Sequence, residues 1–205
     1  MEIQEREESN LYEKLESEEF SCDRRKLIRK IEEILWEWNQ KEQRQQKRLP
    51  LKYTTGRVKT PGSIVEKLKR KGYDVSLQGV EQLHDLSGVR AVCSYLDDVY
   101  RLRDYLLSHR EITVLQEKDY IACPKETGYQ SLHMILKMDM GIAELQIRTV
   151  AMDYWSNLEH PVIYKQGINA DKQIGKKLTA YAGFLRRVDG MLLEMRIEQE
   201  KEKSR

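Results

Sequence analysis

Along this chain the spacing of apolar positions changes from helical to strand-like and back several times. From Asp23, residues Leu27, Ile31, Ile34, Leu35 and Trp38 recur every three or four positions, which predicts an amphipathic helix with one buried face. "QKEQRQQKRLP" carries that helix to its end before Pro50. The stretch "TTGRVKTPGS" brings two glycines and a proline and reads as a loop, with Ser63 capping a helix through "IVEKLKRKG". "SGVRAVCSYL" is short, apolar and β-branched, as expected of a buried strand. "DDVYRLRDYLLSH" places Val99, Leu102 and Leu106 at helical spacing behind an Asp cap, and "EITVLQEKDY" returns to strand composition. "SLHMILKMDM" and "IAELQIRTV" flank the turn "MDMG" and predict a β-hairpin. "AMDYWSNLEH" reads as a helix that Pro161 stops.

The two ends differ. Ile174, Leu178, Tyr181, Leu185, Val188, Leu192 and Met195 alternate steps of four and three, which predicts a long helix over 170–200 packed lengthwise against another helix. That partner could lie in the same domain or in a second copy of the chain. Residues 1–22 are acidic with little apolar periodicity and are expected to be frayed or weakly helical. The order of elements predicts an α+β fold: a small mixed, largely antiparallel sheet flanked by helices, forming one domain over 23–205.

Composition narrows the class. A chain of 205 residues, 40% hydrophobic and 34% charged, suits one globular domain with a densely charged surface. No apolar run approaches the roughly 20 residues needed to cross a bilayer, and the acidic start is unlike a secretory signal, so a cytoplasmic location is expected. Cys22, Cys93 and Cys123 are scattered without a CxxC spacing, which fits reduced thiols better than disulfides or a zinc site. The net charge of +2 conceals an asymmetry: residues 1–20 carry eight acids and two bases, residues 52–71 seven bases and one acid. Such a basic segment suits nucleotide phosphates or a nucleic-acid backbone, although a solvated helix face has the same composition.

Four groups of residues could carry chemistry. Ser63, Lys67 and Arg70 share one helical face, with Arg57 and Lys59 just upstream, and a helix N-terminus among cations suits a triphosphate. It is not a Walker loop, since no GxxxxGK[ST] occurs. In "HDLSGVR", Asp85 could ligate Mg²⁺, and Arg90 could stack on a base or pair with phosphate. The His84–Asp85 pair also suggests metal phosphohydrolases, but the other histidines stand singly. In "AELQIRT", alternation sets Glu144, Gln146 and Arg148 on one face, where Glu144 could complete a metal site or act as a base. In "AMDYWSNLEH", Asp153, Asn157 and His160 share a helical face.

Taken in order, "GRVKTPGSIVEKLKRK", "LHDLSGVRAV", "DYIACPKETGYQSLH", "ELQIRT" and "AMDYWSNLEHPVIYK" resemble the synthetase domain of the RelA/SpoT-type alarmone synthetases, and most of all its small single-domain members. The resemblance spans about Tyr53 to Lys165. It implies transfer of pyrophosphate from ATP to the 3′-hydroxyl of GDP or GTP. It also implies that Arg57 and Arg90 sandwich the adenine and that Lys59, Ser63, Lys67 and Arg70 hold the ATP phosphates. Asp85 and Glu144 would be catalytic and bind Mg²⁺. Lys125, Tyr129, His133, Gln146 and Asp153 would serve the guanosine acceptor, with Tyr129 stacked on guanine. The resemblance further implies a homo-oligomer, a tetramer above all, assembled through terminal helices. The alternative is a catalytically inactive nucleotide- or RNA-binding module of the same fold, which would have no need of two acids among phosphate-binding cations.

Overall fold

A computed structural model describes residues 2–166 and 172–203, with side-chain surroundings over 8–159 and 175–202. Residues 170–171 of the expected C-terminal helix, and the side chain of Ile174, therefore lie outside what is described. Five strands form one sheet in the order β1-β2-β5-β4-β3, with β1 Leu51–Val58, β2 Ser87–Cys93, β3 Thr113–Asp119, β4 Leu132–Met138 and β5 Gly141–Thr149. Only β2 and β5 pair in parallel; β1·β2, β3·β4 and β4·β5 are antiparallel. The α+β expectation is met, and β4 and β5 form the hairpin read at "MDMG", with Met138 opposite Gly141.

Period-two alternation divides the sheet into two faces. Val89, Ala91, Leu132, Met134, Leu136, Ala143, Leu145 and Ile147 point to the core, where Leu27, Ile31, Ile34, Leu35 and Trp38 of α2 (Glu18–Gln46) and Val99, Leu102 and Leu106 of α5 (Leu96–Leu107) meet them. Each large side chain removed from water there contributes roughly 1.5–3 kcal/mol. The opposite face carries the polar residues described below.

The segment expected to be a loop is an edge strand, β1. Asn39, fully buried on α2, accepts from the Leu51 amide at 2.9 Å and donates to its carbonyl at 3.4 Å, supplying both hydrogen bonds of a strand neighbour. Gly56 permits the helix to lie close, since a Cβ there would come within 2.1 Å of Ile28. The following helix, α3 (Pro61–Lys71), is capped by Thr60 rather than Ser63: Thr60 Oγ1 accepts from the Ser63 amide, and Pro61 fills a first-turn position that needs no donor. A single turn, α4 (Leu77–Glu81), leads on to β2. Helix α5 begins before the expected Asp cap, with Tyr95 at the cap position and no side-chain cap bond; Asp98, in its first turn, is buried and takes a two-pronged ion pair from Arg48, both contacts 2.7 Å.

The N-terminal segment, expected to be frayed or weakly helical, is helical from Glu2. Helix α1 (Glu2–Glu16) buries Leu11 and Leu15 against Ile64, Val65 and Leu68 of α3, and Glu8 pairs with Lys69 at 2.8 Å. Two leucines four apart are too short a signal to register as periodicity, and α2 begins at Glu18 with Ser17 as its cap, so position 22 falls inside a helix.

Helix α6 (Val150–Gln166) runs through Pro161, which forfeits one backbone bond without ending the helix. Helix α7 (Lys172–Lys203) packs on α6 through Leu178, Ala182 and Leu185 around Trp155. The heptad-like stripe is thus divided: Leu178 and Leu185 face inward while Tyr181, Leu192 and Met195 are exposed. Asp189 fastens the seam, its carboxylate accepting from Thr149 Oγ1 at 2.6 Å.

Burial raises the Asp189 pKa, and the Thr149 bond offsets only part of that rise. The charged form is therefore disfavoured by folding, so the stability this group contributes is full at acid pH and is lost as pH rises through its folded pKa. Asp189→Asn should accordingly raise the melting temperature at neutral pH, and the gain should vanish below about pH 4, near the ordinary Asp value. Thermal melts across pH measure this; a loss of stability at neutral pH would refute it.

Candidate active site

Strand register assembles the polar face. Across the sheet, Thr55 stands opposite Arg90, Arg90 opposite Gln146, Gln146 opposite His133, and His133 opposite Lys118. One step along, Arg57 is opposite Gly88 and Gly88 opposite Glu144. With no side chain at Gly88, a cleft of about 280 Å³ opens here, lined by Arg57, Asp85, Arg90, Glu144 and Gln146 among others.

Asp85 lies just before β2, drawn to the end of β1 by the Lys59 amide bond to the Leu86 carbonyl at 2.9 Å. Lys59 and Lys67, from the β1–α3 junction and the helix, both reach Asp85 Oδ2, at 2.9 and 2.6 Å. Burial pushes the Asp85 pKa up, but the bonds from both lysines outweigh it and hold the carboxyl below its usual range. Its other oxygen, Oδ1, is buried without a hydrogen-bond partner. Ser63 and Arg70 are exposed on the same short helix, and Arg57 is exposed on β1.

Glu144 sits deeper. His133 Nδ1 lies 3.2 Å from its Oε1, and Gln146 Nε2 donates to Oε2 at 2.9 Å. Burial raises the Glu144 pKa, but the bond from His133, helped by its charge and by Gln146, leaves the net shift downward. Glu144 is thus set up to be ionised. An unpartnered carboxylate oxygen on Asp85 beside an ionised Glu144 fits a hard cation such as Mg²⁺, which takes few protein carboxylates and completes its shell from phosphates and water. Among the described residues no cluster of three or more His, Cys, Asp or Glu forms an all-protein metal cage.

The acceptor residues expected from the sequence gather on the other side of Glu144. Tyr129 Oη is 2.8 Å from His133 Nε2 and accepts from Arg148 at 2.6 Å, while Lys125 lies 4.8 Å from the ring centres of both Tyr120 and Tyr129. Arg148 also donates to Gln146 Oε1 at 2.7 Å and to Ser131 and Asp153 at 3.3 Å.

Asp153 does not line the cleft. It is 4% exposed and is taken up by Arg90 (3.0 Å), Arg148, the Tyr53 hydroxyl (2.7 Å) and Asn157 (3.2 Å), so it reaches the acceptor side only through Arg148. Burial and the bond to Asp153 push the Tyr53 pKa up to about 12, keeping it a donor. Sequence reasoning missed Tyr53 and gave Arg148 no role. Strand alternation did set Arg148 on the face of Glu144, and that was the one available signal. The His160 side chain, on the same helical turns, lies outside the described residues.

Two clusters of cations flank two carboxylates, with an aromatic ring on one side and a stackable arginine on the other. Such a site can hold two nucleotides and transfer a phosphoryl group between them. The comparisons agree. A family model described as the region found in RelA / SpoT proteins matches residues 56–169, and the chain belongs to that family. Over 158 residues it is 38% identical to GTP pyrophosphokinase YwaC of Bacillus subtilis (strain 168), covering 73% of this chain and 75% of that protein. The fold superposes on small alarmone synthetase 1 from Bacillus subtilis with a TM-score of 0.79 at 30% identity, covering 90% of this chain and 97% of the other. The crystal structure of that synthetase bound to its product pppGpp gives a TM-score of 0.78 at 30% identity, covering 88% and 96%.

Asp153 joins the two sides, and its removal leaves Arg90 and Arg148 short of a counter-charge. Asp153→Ala should cost about 3–5 kcal/mol in chemical denaturation, the usual penalty for stranding a buried charge. A cost under about 1 kcal/mol, as for an exposed ion pair, would show that Asp153 carries no such load.

Proposed function

We propose that this chain is a GTP/GDP pyrophosphokinase. It transfers the β,γ-pyrophosphoryl group of ATP to the 3′-hydroxyl of GDP or GTP, forming ppGpp or pppGpp and releasing AMP. The observation that carries this reading is the placement of ionised Glu144 between the lysines on Asp85 and the ring of Tyr129. A site that only bound nucleotide or RNA would have no use for two carboxylates among phosphate-binding cations.

Arg57 and Arg90 bracket the adenine, and Lys59, Ser63, Lys67 and Arg70 take the triphosphate. Lys59 and Lys67 neutralise Asp85 in the free chain and exchange that contact for phosphate oxygens when ATP enters. Tyr129, 8% exposed in the free chain with Lys125 over its ring, is uncovered as Lys125 moves to the acceptor phosphates and then stacks on guanine; His133 meets the same phosphates, and Gln146 fixes the Glu144 carboxylate. Glu144 takes the proton from the 3′-hydroxyl; the 3′ oxygen bonds to the β-phosphorus as the bond from that phosphorus to the α–β bridging oxygen breaks, and AMP leaves with the electron pair. Catalysis rests on positioning and on charge already in place. Mg²⁺ held by Asp85 and Glu144 would supply further neutralisation of the phosphate oxygens.

Self-association belongs to the same reading. Tyr181, Phe184, Met191, Leu192 and Met195 leave an exposed apolar strip on α7, and a tetramer would cover it. Sedimentation of the chain and of Phe184→Glu with Met191→Glu checks this: the wild type should sediment as a tetramer and the variant as smaller species. Identical sedimentation of the two would refute α7 as the interface.

Incubation with ATP, GTP and Mg²⁺ should give AMP and a guanosine pentaphosphate in equal amounts. Glu144→Gln should lower turnover by about 10²–10⁴-fold, the usual size of a lost general base, while ATP binding persists. Unchanged nucleotides in the wild type would overturn the activity, and near-normal turnover in the variant would overturn the role of Glu144.

A further inference from the structure

Helix α7 also lies against the loop that carries Tyr129. That loop, residues 120–131, begins in a turn where Asp119 Oδ1 accepts from the amides of Ile121 and Ala122 at 2.8 and 2.9 Å. It doubles back at Lys125–Tyr129: the Gly128 amide donates to the Lys125 carbonyl at 2.7 Å, and the Lys125 amide to the Tyr129 carbonyl at 3.2 Å.

Two contacts tie this turn to α7. Thr179 Oγ1 donates to the Glu126 carbonyl at 3.2 Å, a bond it shares with the Gly175 carbonyl of its own helix at 3.1 Å. Gly128, at φ +86, lies so near the helix that a Cβ on it would come within 2.3 Å of Ala182 Cβ. Ala182 is 6% exposed and packs in the cluster formed with Trp155 of α6 and with Leu178 and Leu185. The Thr149–Asp189 bond fixes the same helix two turns on. The helix is therefore anchored independently of the loop, and the loop rests on it.

Tyr129 follows Gly128 directly. Its hydroxyl is held from the sheet side by Arg148 and His133, and its main chain is held from the other side by α7 through Gly128.

We propose that Thr179 and Ala182 are positioning residues for the guanosine acceptor, setting the height of the Gly128 turn and with it the plane of the Tyr129 ring. This rests on the reading of Tyr129 as the guanine-stacking residue. The contact serves one substrate only, because Arg57 stands on β1, Lys67 on α3 and Lys59 between them, whereas α7 packs chiefly on α6 and α5.

The test is a split between the two Michaelis constants, backed by a measurement that needs no activity. Thr179→Val keeps the shape and removes the donor; at an exposed helix position it should fold normally. It should raise KM for GDP or GTP about fivefold, the equivalent of one ordinary hydrogen bond. Ala182→Val adds two methyl groups against Gly128 and should raise it about tenfold or more, as overpacking does. In both, KM for ATP and kcat at saturating acceptor should stay within about twofold of wild type, too small a change to count as a lost contact. In hydrogen exchange, the Gly128 and Lys125 amides should lose protection by similar factors. Equal rises in both Michaelis constants, or unchanged acceptor KM and unchanged exchange, would overturn the proposal. If the wild type itself transferred nothing, the activity would be wrong, and the exchange rates alone would still decide whether α7 fixes the loop.

Discussion

Everything in the site depends on the register of the parallel ladder between β2 and β5. It sets Gly88 beside Glu144 and Arg90 beside Gln146, and so brings donor-side and acceptor-side residues within one strand spacing of each other. Because side chains alternate, a slip of one residue would turn Glu144 into the core and Leu145 into the cleft. Helix α2 guards against that slip, since it needs the unbroken apolar face of Val89, Ala91, Leu145 and Ile147 to cover Trp38 and its neighbours. The register that buries the core is the register that aligns the chemistry.

On the polar face, charges are kept by saturation. Arg148 and Asp153 are both buried, and each is tolerable only because its remaining donors or acceptors are occupied: Ser131, Tyr129 and Gln146 for one, Arg90, Tyr53 and Asn157 for the other. The network gives direction as well as rigidity. Arg148 can only donate, so the Tyr129 hydroxyl accepts from it, and the chain of contacts runs on through His133, whose Nε2 meets that hydroxyl and whose Nδ1 meets Glu144.

Much of this was legible beforehand, unevenly. Long elements with three or more apolar repeats, α2 and α5, and the hairpin at Gly141 were readable because their own periodicity specifies them. Strand β1 was not. Its glycine and alternating Thr, Arg and Lys suggest a loop, and what makes it a strand is Asn39 and β2, twelve or more residues away in sequence. Helix α1 was hidden for the same reason, its two leucines having meaning only against α3. In the site, local patterns found Asp85, Lys67, Glu144 and Gln146. They could not show that Asp153 is enclosed, that Arg148 links four partners or that α7 touches the acceptor loop, because those facts exist only once distant segments meet.

Strand β5 has a consequence for how the protein comes into being. It is the central strand of the sheet, joining the β1–β2 pair to the β4–β3 pair, and its parallel pairing with β2 closes a stretch of chain more than fifty residues long. Such closures are slow relative to hairpins and helices. During synthesis, the cations of β1 and α3 emerge well before Glu144 does, so a chain interrupted ahead of β5 has gathered the means to attract a triphosphate but nothing that could spend it. Competence arrives all at once, with the last strand.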